Sequence, residues 1–324
     1  MAKDLNEHST ADGVLEGVDL RGKHVFVTGA VSGLGAETAR ALVARGASVI
    51  GTAREARIHA ETVAEIREAA AFGGSFEVVA LELDDLASVR KAADALVERG
   101  ERFDLVVANA GVMATPFGRT KDGFELQFGV NVVGHFVLIQ RLTPLMREGA
   151  RLIVLSSNSH RFADADLDDP NFEHTEYEPW FSYSRAKTGN ALLALAFDLK
   201  NRDRGIRAAS VHPGLIQTGI GRHLDPAETQ ATMKTVTEER EKAGKPPFEG
   251  KTIAQGAATT VWAGVVADPD VIGGRYCEDC RVADTLSDDE EADLLEGGVR
   301  PYALDPDHAL AYWEMLERLA SERD

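Results

Sequence analysis

The feature that most constrains this chain is an alternation repeated from residue 24 to residue 211. Short apolar segments lie at 24–28, 47–52, 77–81, 105–108, 152–155 and 207–211. Helical patterns stand between them at 34–45, 58–71, 85–99, 123–146 and 180–201. Continuous apolar strands, as opposed to alternating ones, are buried on both faces, and long helices between them make parallel crossovers. Right-handed crossovers then predict an α/β fold, a Rossmann-type doubly wound parallel sheet flanked by helices. Its ligand belongs beyond the carboxyl ends of the strands, where the strand order reverses.

Around this frame, residues 1–19 are polar and aperiodic and read as a mobile leader, leaving 20–324 as a single domain. Residues 219–251 are rich in charge and include Pro246 and Pro247, so 216–250 reads as an excursion over the ligand site. The extension 273–324 holds a strand candidate at 274–277, an acidic run at 288–293 read as a solvated face, and an amphipathic helix at 307–320. A chain of 324 residues buries a core without disulfides or a structural metal. Its two cysteines make no framework and fit a reducing compartment. A net charge of −18 argues against a nucleic-acid partner. The longest apolar run, 129–139, is broken by Asn131 and His135 and falls short of the ~18–20 residues of a membrane span. With no apolar signal segment near the start, the expectation is a cytoplasmic protein with no membrane partner.

The first apolar segment runs into Thr28-Gly29-Ala30-Val31-Ser32-Gly33-Leu34-Gly35, which opens the first helix. Glycines in such a loop allow a sharp turn, close approach of backbone to a pyrophosphate, and packing of helix on strand. Free N–H groups and the helix dipole at Ser32, Gly33, Leu34 and Gly35 then face the phosphates. A plain tight turn has the same glycines; the strand before and helix after favour a dinucleotide. At the end of the second strand an acidic residue would bind a ribose 2′-hydroxyl, whereas an arginine accommodates a 2′-phosphate. The acid is missing and Arg54 is present, which favours NADP(H), with NAD(H) the other candidate. Arg54 also reads as an ordinary solvated arginine.

Tyr183 and Lys187 lie one helical turn apart on the last long helix of this alternation. An ammonium beside a phenol stabilises the phenolate, moving a group of reference pKa about 10 toward general acid–base work. A half-buried tyrosine with a surface lysine gives the same spacing.

Together with TGAVSGLG at 28–35, the stretches ANAG at 108–111, Asn131 in NVVGHF, SSNSH at 156–160, YSRAK at 183–187 and HPGLIQT at 212–218 resemble the short-chain dehydrogenase/reductase family over about residues 20–280. The resemblance implies Tyr183 as the general acid–base and Lys187 as the residue that lowers its pKa and holds the nicotinamide ribose. It implies Ser157 as the donor that polarises the substrate oxygen, and Asn131 as the holder of a water in the proton relay. Asn109, Ala110 and Gly111 would line the adenosine side, and Pro213, Gly214 and Thr218 the nicotinamide amide. Glu82, with Leu83, stands where the family has an aspartate near the adenine; Asp84 is the rival assignment. The resemblance further implies an alcohol or carbonyl substrate, no metal, and a homodimer or homotetramer through the helices at 123–146 and 180–201, with a monomer equally open.

Ser157 and Tyr183 are separated by about twice the spacing common in the family. The extra segment, 160–180, resembles the retinol-dehydrogenase-like and WW-domain-oxidoreductase-like branch; no membrane anchor or WW domain accompanies it, so retinoid activity is not carried over. The expected function is an NAD(P)-dependent oxidoreductase interconverting an alcohol, secondary in preference to primary, and a carbonyl compound. The segment 216–250 would cover the substrate. The competing expectations are a silent dinucleotide-binding sensor, whose sign would be a damaged Tyr, Lys or Ser, and an epimerase or dehydratase on the same scaffold. Cys277 and Cys280 form a lone CxxC read as structural. His160 reads equally as facing substrate or as a loop histidine, and His212 as structural.

Overall fold

Val25, Phe26 and Val27 lie at the centre of a sheet because strands of the same apolar character flank them on both sides. The computed structural model describes residues 4–54, 59–216, 218–242, 244, 249–287 and 295–322. Its strands are β1 His24–Val27, β2 Ser48–Ala53, β3 Ser75–Ala80, β4 Phe103–Ala108, β5 Met146–Leu155, β6 Arg207–Val211, β7 Arg275–Glu278 and β8 Arg281–Val282. They form one sheet in the order β3-β2-β1-β4-β5-β6-β7-β8. All neighbours pair parallel except β7 with β8. The order reverses between β1 and β4, which puts the ligand crevice at their carboxyl ends.

The helices are α1 Ala11–Val14, α2 Gly33–Val43, α3 Ala60–Glu68, α4 Leu86–Glu98, α5 Leu126–Phe128, α6 Gly134–Leu142, α7 Pro179–Asn201, α8 Pro226–Lys242, α9 Ile253–Gly256, α10 Ala258–Val261, α11 Pro269–Ile272 and α12 Pro306–Ser321. Successive strand residues feed opposite cores: Phe26, Leu152 and Val154 join the side covered by α4, α6, α7 and α12. Val25, Val27, Ile153 and Leu155 join the side covered by α1, α2 and α10.

Several sequence expectations are corrected here. The leader is not free over its described part: Ala11, Val14 and Leu15 are fully buried, and Thr10 caps α1. The single helix expected at 123–146 is four pieces. A π turn at Gly129–Val133 separates α5 from α6, Pro144 sits in a tight turn, and the chain is already extended from Met146. Glycine at 134 lets the backbone pass against the Leu83 carbonyl, and Pro144 cannot continue the helical ladder. The register between β4 and β5 shifts between Phe103 and Leu105, and the first half of β5, with Arg147, Glu148 and Gly149, carries no apolar run to betray it. The C-terminal helix α12 packs on α6 and α7: Trp313 lies between Phe136 of α6 and Phe197 of α7, and Tyr312 closes on Gly189. The start of the helix expected at 58, the residues Pro246 and Pro247, and the acidic run at 288–293 lie outside the described residues.

Candidate active site

At the phosphate loop, Gly29 and Gly33 have φ of +67° and +51°, which glycine adopts without strain. A Cβ on Gly35 would run into the Gly29 carbonyl and stand 2.5 Å from Asn109 Nδ2, so the third glycine is required by packing. Ser32 precedes α2 with an extended backbone, and its side chain makes no capping bond. The first-turn N–H groups of an eleven-residue helix are therefore presented to the crevice, a cradle suited to a pyrophosphate. Thr218 faces this loop, 3.6 Å from where a Cβ on Gly33 would stand.

Behind the loop runs a chain of hydrogen bonds. Thr28 Oγ1 accepts from the backbone N–H groups of Asn109 and Ala110, both at 2.9 Å. With its lone pairs engaged, its proton is left for His135 Nε2 at 2.9 Å. His135 Nδ1 then donates to the Asn131 carbonyl at 3.0 Å. The Asn131 side chain clamps Val112 at two points, accepting from its N–H at 2.8 Å and donating to its carbonyl at 3.0 Å. A Cβ on Gly111 would stand 2.9 Å from Asn131 Oδ1 and 3.9 Å from Lys187 Nζ, so this glycine keeps open the space beside the ammonium. The sequence reading gave neither Thr28 nor His135 a place behind the loop. The signal for His135 was present: the two polar breaks in the run 129–139, Asn131 and His135, are one helical turn apart.

Ser157 and Tyr183 come together although 160–180 separates them in sequence. Ser157 Oγ accepts from the Ser159 N–H at 3.2 Å and donates to Asn158 Oδ1 at 3.4 Å, and it lies near enough to the Tyr183 phenol to favour its ionised form. Ser156 is not its equivalent, because its hydroxyl is spent on the Lys187 carbonyl at 2.7 Å. Lys187 Nζ donates to the Leu155 carbonyl at 2.9 Å and stands 5.5 Å from the Tyr183 ring centroid. Burial pushes the Tyr183 phenol up to about 12, with the nearby Ser157 hydroxyl pulling it down. Burial also pushes Lys187 down to about 8. The expected lowering of the phenol by Lys187 is not seen in this structure, where desolvation dominates.

At the adenosine end, Arg54 is half-buried just after β2. Leu83 is buried in the core, while Glu82 and Asp84 are half-buried beside it; Ser88 Oγ accepts from the Glu82 N–H at 3.1 Å. Gly214 has φ +95°, and the stem of Lys251 lies across it. Ile216 pairs with Lys251, which ties together the two ends of the excursion that carries α8.

His160 is fully buried. Its Nδ1 donates to the Ser157 carbonyl at 2.7 Å, and its Nε2 accepts from the Arg300 N–H at 3.3 Å, so it braces the serine loop and does not face substrate. His212 Nδ1 likewise accepts from the Asn158 N–H at 3.2 Å. Cys277 and Cys280 are buried thiols flanking a tight β7–β8 turn, in which Asp279 and Cys280 have φ of 48° and 56°. Burial pushes the two thiols up to about 12 and about 11, which makes them poor nucleophiles at neutral pH.

These histidines give the protein an acid limb. Burial pushes His135 down to about 4 and His160 to about 3, from 6.5. Between those values and 6.5 the unfolded chain binds protons that the folded chain does not, so stability falls as pH drops through this window. The urea midpoint is expected to be lower at pH 5 than at pH 7.5, with the gap narrowed in His160→Gln. An unchanged gap in the variant would assign the acid limb to other groups.

Known proteins resemble this chain over most of its length. A family profile described as short chain dehydrogenase matches residues 23–229. A "Probable oxidoreductase" of Streptomyces lividans is 39% identical over 301 residues, 92% of this chain and 97% of that protein. Human "Retinol dehydrogenase 14" is 33% identical over 92% of this chain and 86% of its own length. The solved structure of the angucycline C-6 ketoreductase LanV with bound NADP superposes with a TM-score of 0.62 at 26% identity, covering 81% of this chain and 95% of that one.

Proposed function

The chain belongs to the short-chain dehydrogenase/reductase family, in its retinol-dehydrogenase-like branch, and is an oxidoreductase; from that premise we propose that it interconverts an alcohol, secondary in preference to primary, and a carbonyl compound with NADP(H) in preference to NAD(H). The observation that carries this reading is the buried Tyr183 phenol beside Ser157, with Lys187 on the next turn. Bound in this crevice, the nicotinamide supplies the site that gives or takes a hydride. The chain's own residues do the rest. Tyr183 hands its proton to the carbonyl oxygen in reduction and receives it in oxidation. Ser157 donates to the same oxygen and steadies its developing charge. Lys187, the Leu155 carbonyl and the space left by Gly111 form a polar floor suited to ribose hydroxyls. Asn131 fixes the loop above that floor. Arg54 is the residue for a 2′-phosphate, and the NADP bound to LanV supports the same preference. The segment 216–250, tied at its base, serves as the substrate cover.

The test is nicotinamide absorbance turnover over alcohols and carbonyls, with NADP(H) and NAD(H) in parallel, for wild type and Arg54→Asp. Wild type is expected to prefer NADP(H), and the variant to lose at least about 10-fold in that preference, since one charge-assisted bond is removed and a like charge introduced. A preference for NAD(H) in wild type would keep the reaction and remove the role of Arg54. Absence of turnover with intact cofactor binding would favour a silent sensor.

A further inference from the structure

Trp180, Tyr183 and Lys187 stand three and four positions apart on α7 and so form one row on one helix face. The row runs from the interior to the surface: Lys187 is 3% exposed, Tyr183 5% and Trp180 45%. The indole of Trp180 meets the Tyr183 ring edge-on, with centroids 6.1 Å apart and an interplanar angle of 77°.

The fold gives this tryptophan no other visible task. Its neighbour Phe181 is engaged, 4.5 Å under the Arg185 guanidinium, which also covers Phe172 at 4.7 Å. Among the described residues the Trp180 side chain makes no hydrogen bond, and nearly half of its surface is open. A second exposed ring is brought to the same end of α7. Tyr177 Oη donates to the Thr115 carbonyl at 2.8 Å, which ties the loop after β4 to the start of the helix. That tie holds Phe117, 49% exposed, edge-on to Tyr177 with centroids 5.2 Å apart.

We propose that a substrate whose oxygen reaches Tyr183 and Ser157 extends outward along this row, and that Trp180 determines specificity by offering its indole to a flat aromatic ring the substrate carries, so that aryl ketones and the matching aryl carbinols are the substrate class. This rests on the assignment of Tyr183 and Ser157 as the groups that hold the reacting oxygen. An aromatic ring stacks offset or edge-on against indole, and a saturated ring of the same size does so less well. The indole is rigid and already in place, so little side-chain freedom is lost on binding.

The experiment is calorimetric titration of acetophenone and of cyclohexyl methyl ketone, which carry six-carbon rings, onto the NADP⁺-saturated protein, a pairing that cannot react. Wild type, Trp180→Phe and Trp180→Ala are compared, each with its melting temperature and NADP⁺ affinity. Wild type is expected to bind the phenyl ketone about 10-fold more tightly than the cyclohexyl ketone. Trp180→Phe keeps most of that ratio and Trp180→Ala brings it close to one, with NADP⁺ affinity unchanged in both. Equal affinity of the two ketones in wild type, binding of neither, or a ratio that survives Trp180→Ala would overturn the proposal. Turnover is read separately, with NADPH. Reduction of both ketones without a ring preference keeps the reaction and removes Trp180 from it. A ring preference in binding without any turnover keeps the role of Trp180 and removes the reaction.

Discussion

Tyr183→Phe is expected to lower kcat by about 10³-fold, within the 10²–10⁴-fold that a positioned general acid contributes. The substitution removes one oxygen from the site and leaves its shape. The ring keeps its edge contact with Trp180 and its place under the Lys187 ammonium. Lys187 keeps its bond to the Leu155 carbonyl, and the glycines of the phosphate loop are untouched. Cofactor affinity should therefore match wild type, and stability should change by about 1 kcal/mol or less, since the Ser157 partner is half-buried and can bond water. Because burial holds the phenol at about 12, activity in the reducing direction should not be limited by loss of the Tyr183 proton near neutral pH. In the oxidising direction the phenolate is the acceptor, so rate should climb with pH through the same range. Steady-state kinetics in both directions, with cofactor titration, checks all of this. A variant with kcat within about 3-fold of wild type would remove Tyr183 from the chemistry.

The second large effect concerns the fold. Trp313→Ala is expected to cost about 3–5 kcal/mol, the range for removing a buried tryptophan. The ring is 5% exposed, 4.9 Å from Phe136 and 6.4 Å from Phe197, with Lys200 Nζ 5.4 Å from its centroid. Its indole N–H donates to Glu317 at 2.7 Å, so the side chain also orders α12 itself. Without it the groove between α6 and α7 loses its filling, and α7 carries Tyr183 and Lys187. Urea unfolding should show a lower midpoint. Size-exclusion chromatography should show self-association of the variant through the uncovered apolar face. A loss below about 1 kcal/mol would mean that α12 contributes little to the packing of α7.

Much of this architecture was legible because parallel strands buried on both faces leave short apolar runs that alternate with longer helical patterns. Arg207–Val211 was placed at its full extent for this reason, and Phe103–Ala108 to within two residues. The glycines at 29, 33 and 35 were legible because each answers a backbone requirement that no other residue meets. What stayed hidden depends on contacts between distant segments. Ala11, Val14 and Leu15 look like scattered apolar residues in a polar stretch, and only the surfaces of α2, α9 and α10 make a helix of them. The 160–180 segment shows acidic residues and no period. Its order comes from Asp169, which accepts from the N–H groups of Glu173, His174 and Thr175, and from Arg185, which ion-pairs with Asp166. His160 was ambiguous because its two partners, Ser157 and Arg300, are brought together by the chain's far end.

The central claim is that a hydride passes between the nicotinamide and a carbonyl carbon held at Tyr183 and Ser157. The most direct measurement is transfer of label: the protein is incubated with NADPH deuterated at nicotinamide C4, in each stereochemical form, and 1-acetonaphthone, and the product is analysed by mass spectrometry. The account predicts that one of the two forms delivers a single deuterium to the carbinol carbon, and that product and oxidised cofactor appear in equal amounts. Carbinol lacking deuterium from both forms, or no consumption of NADPH with this ketone or any other carbonyl compound in a broad panel despite tight binding of the cofactor, would contradict it.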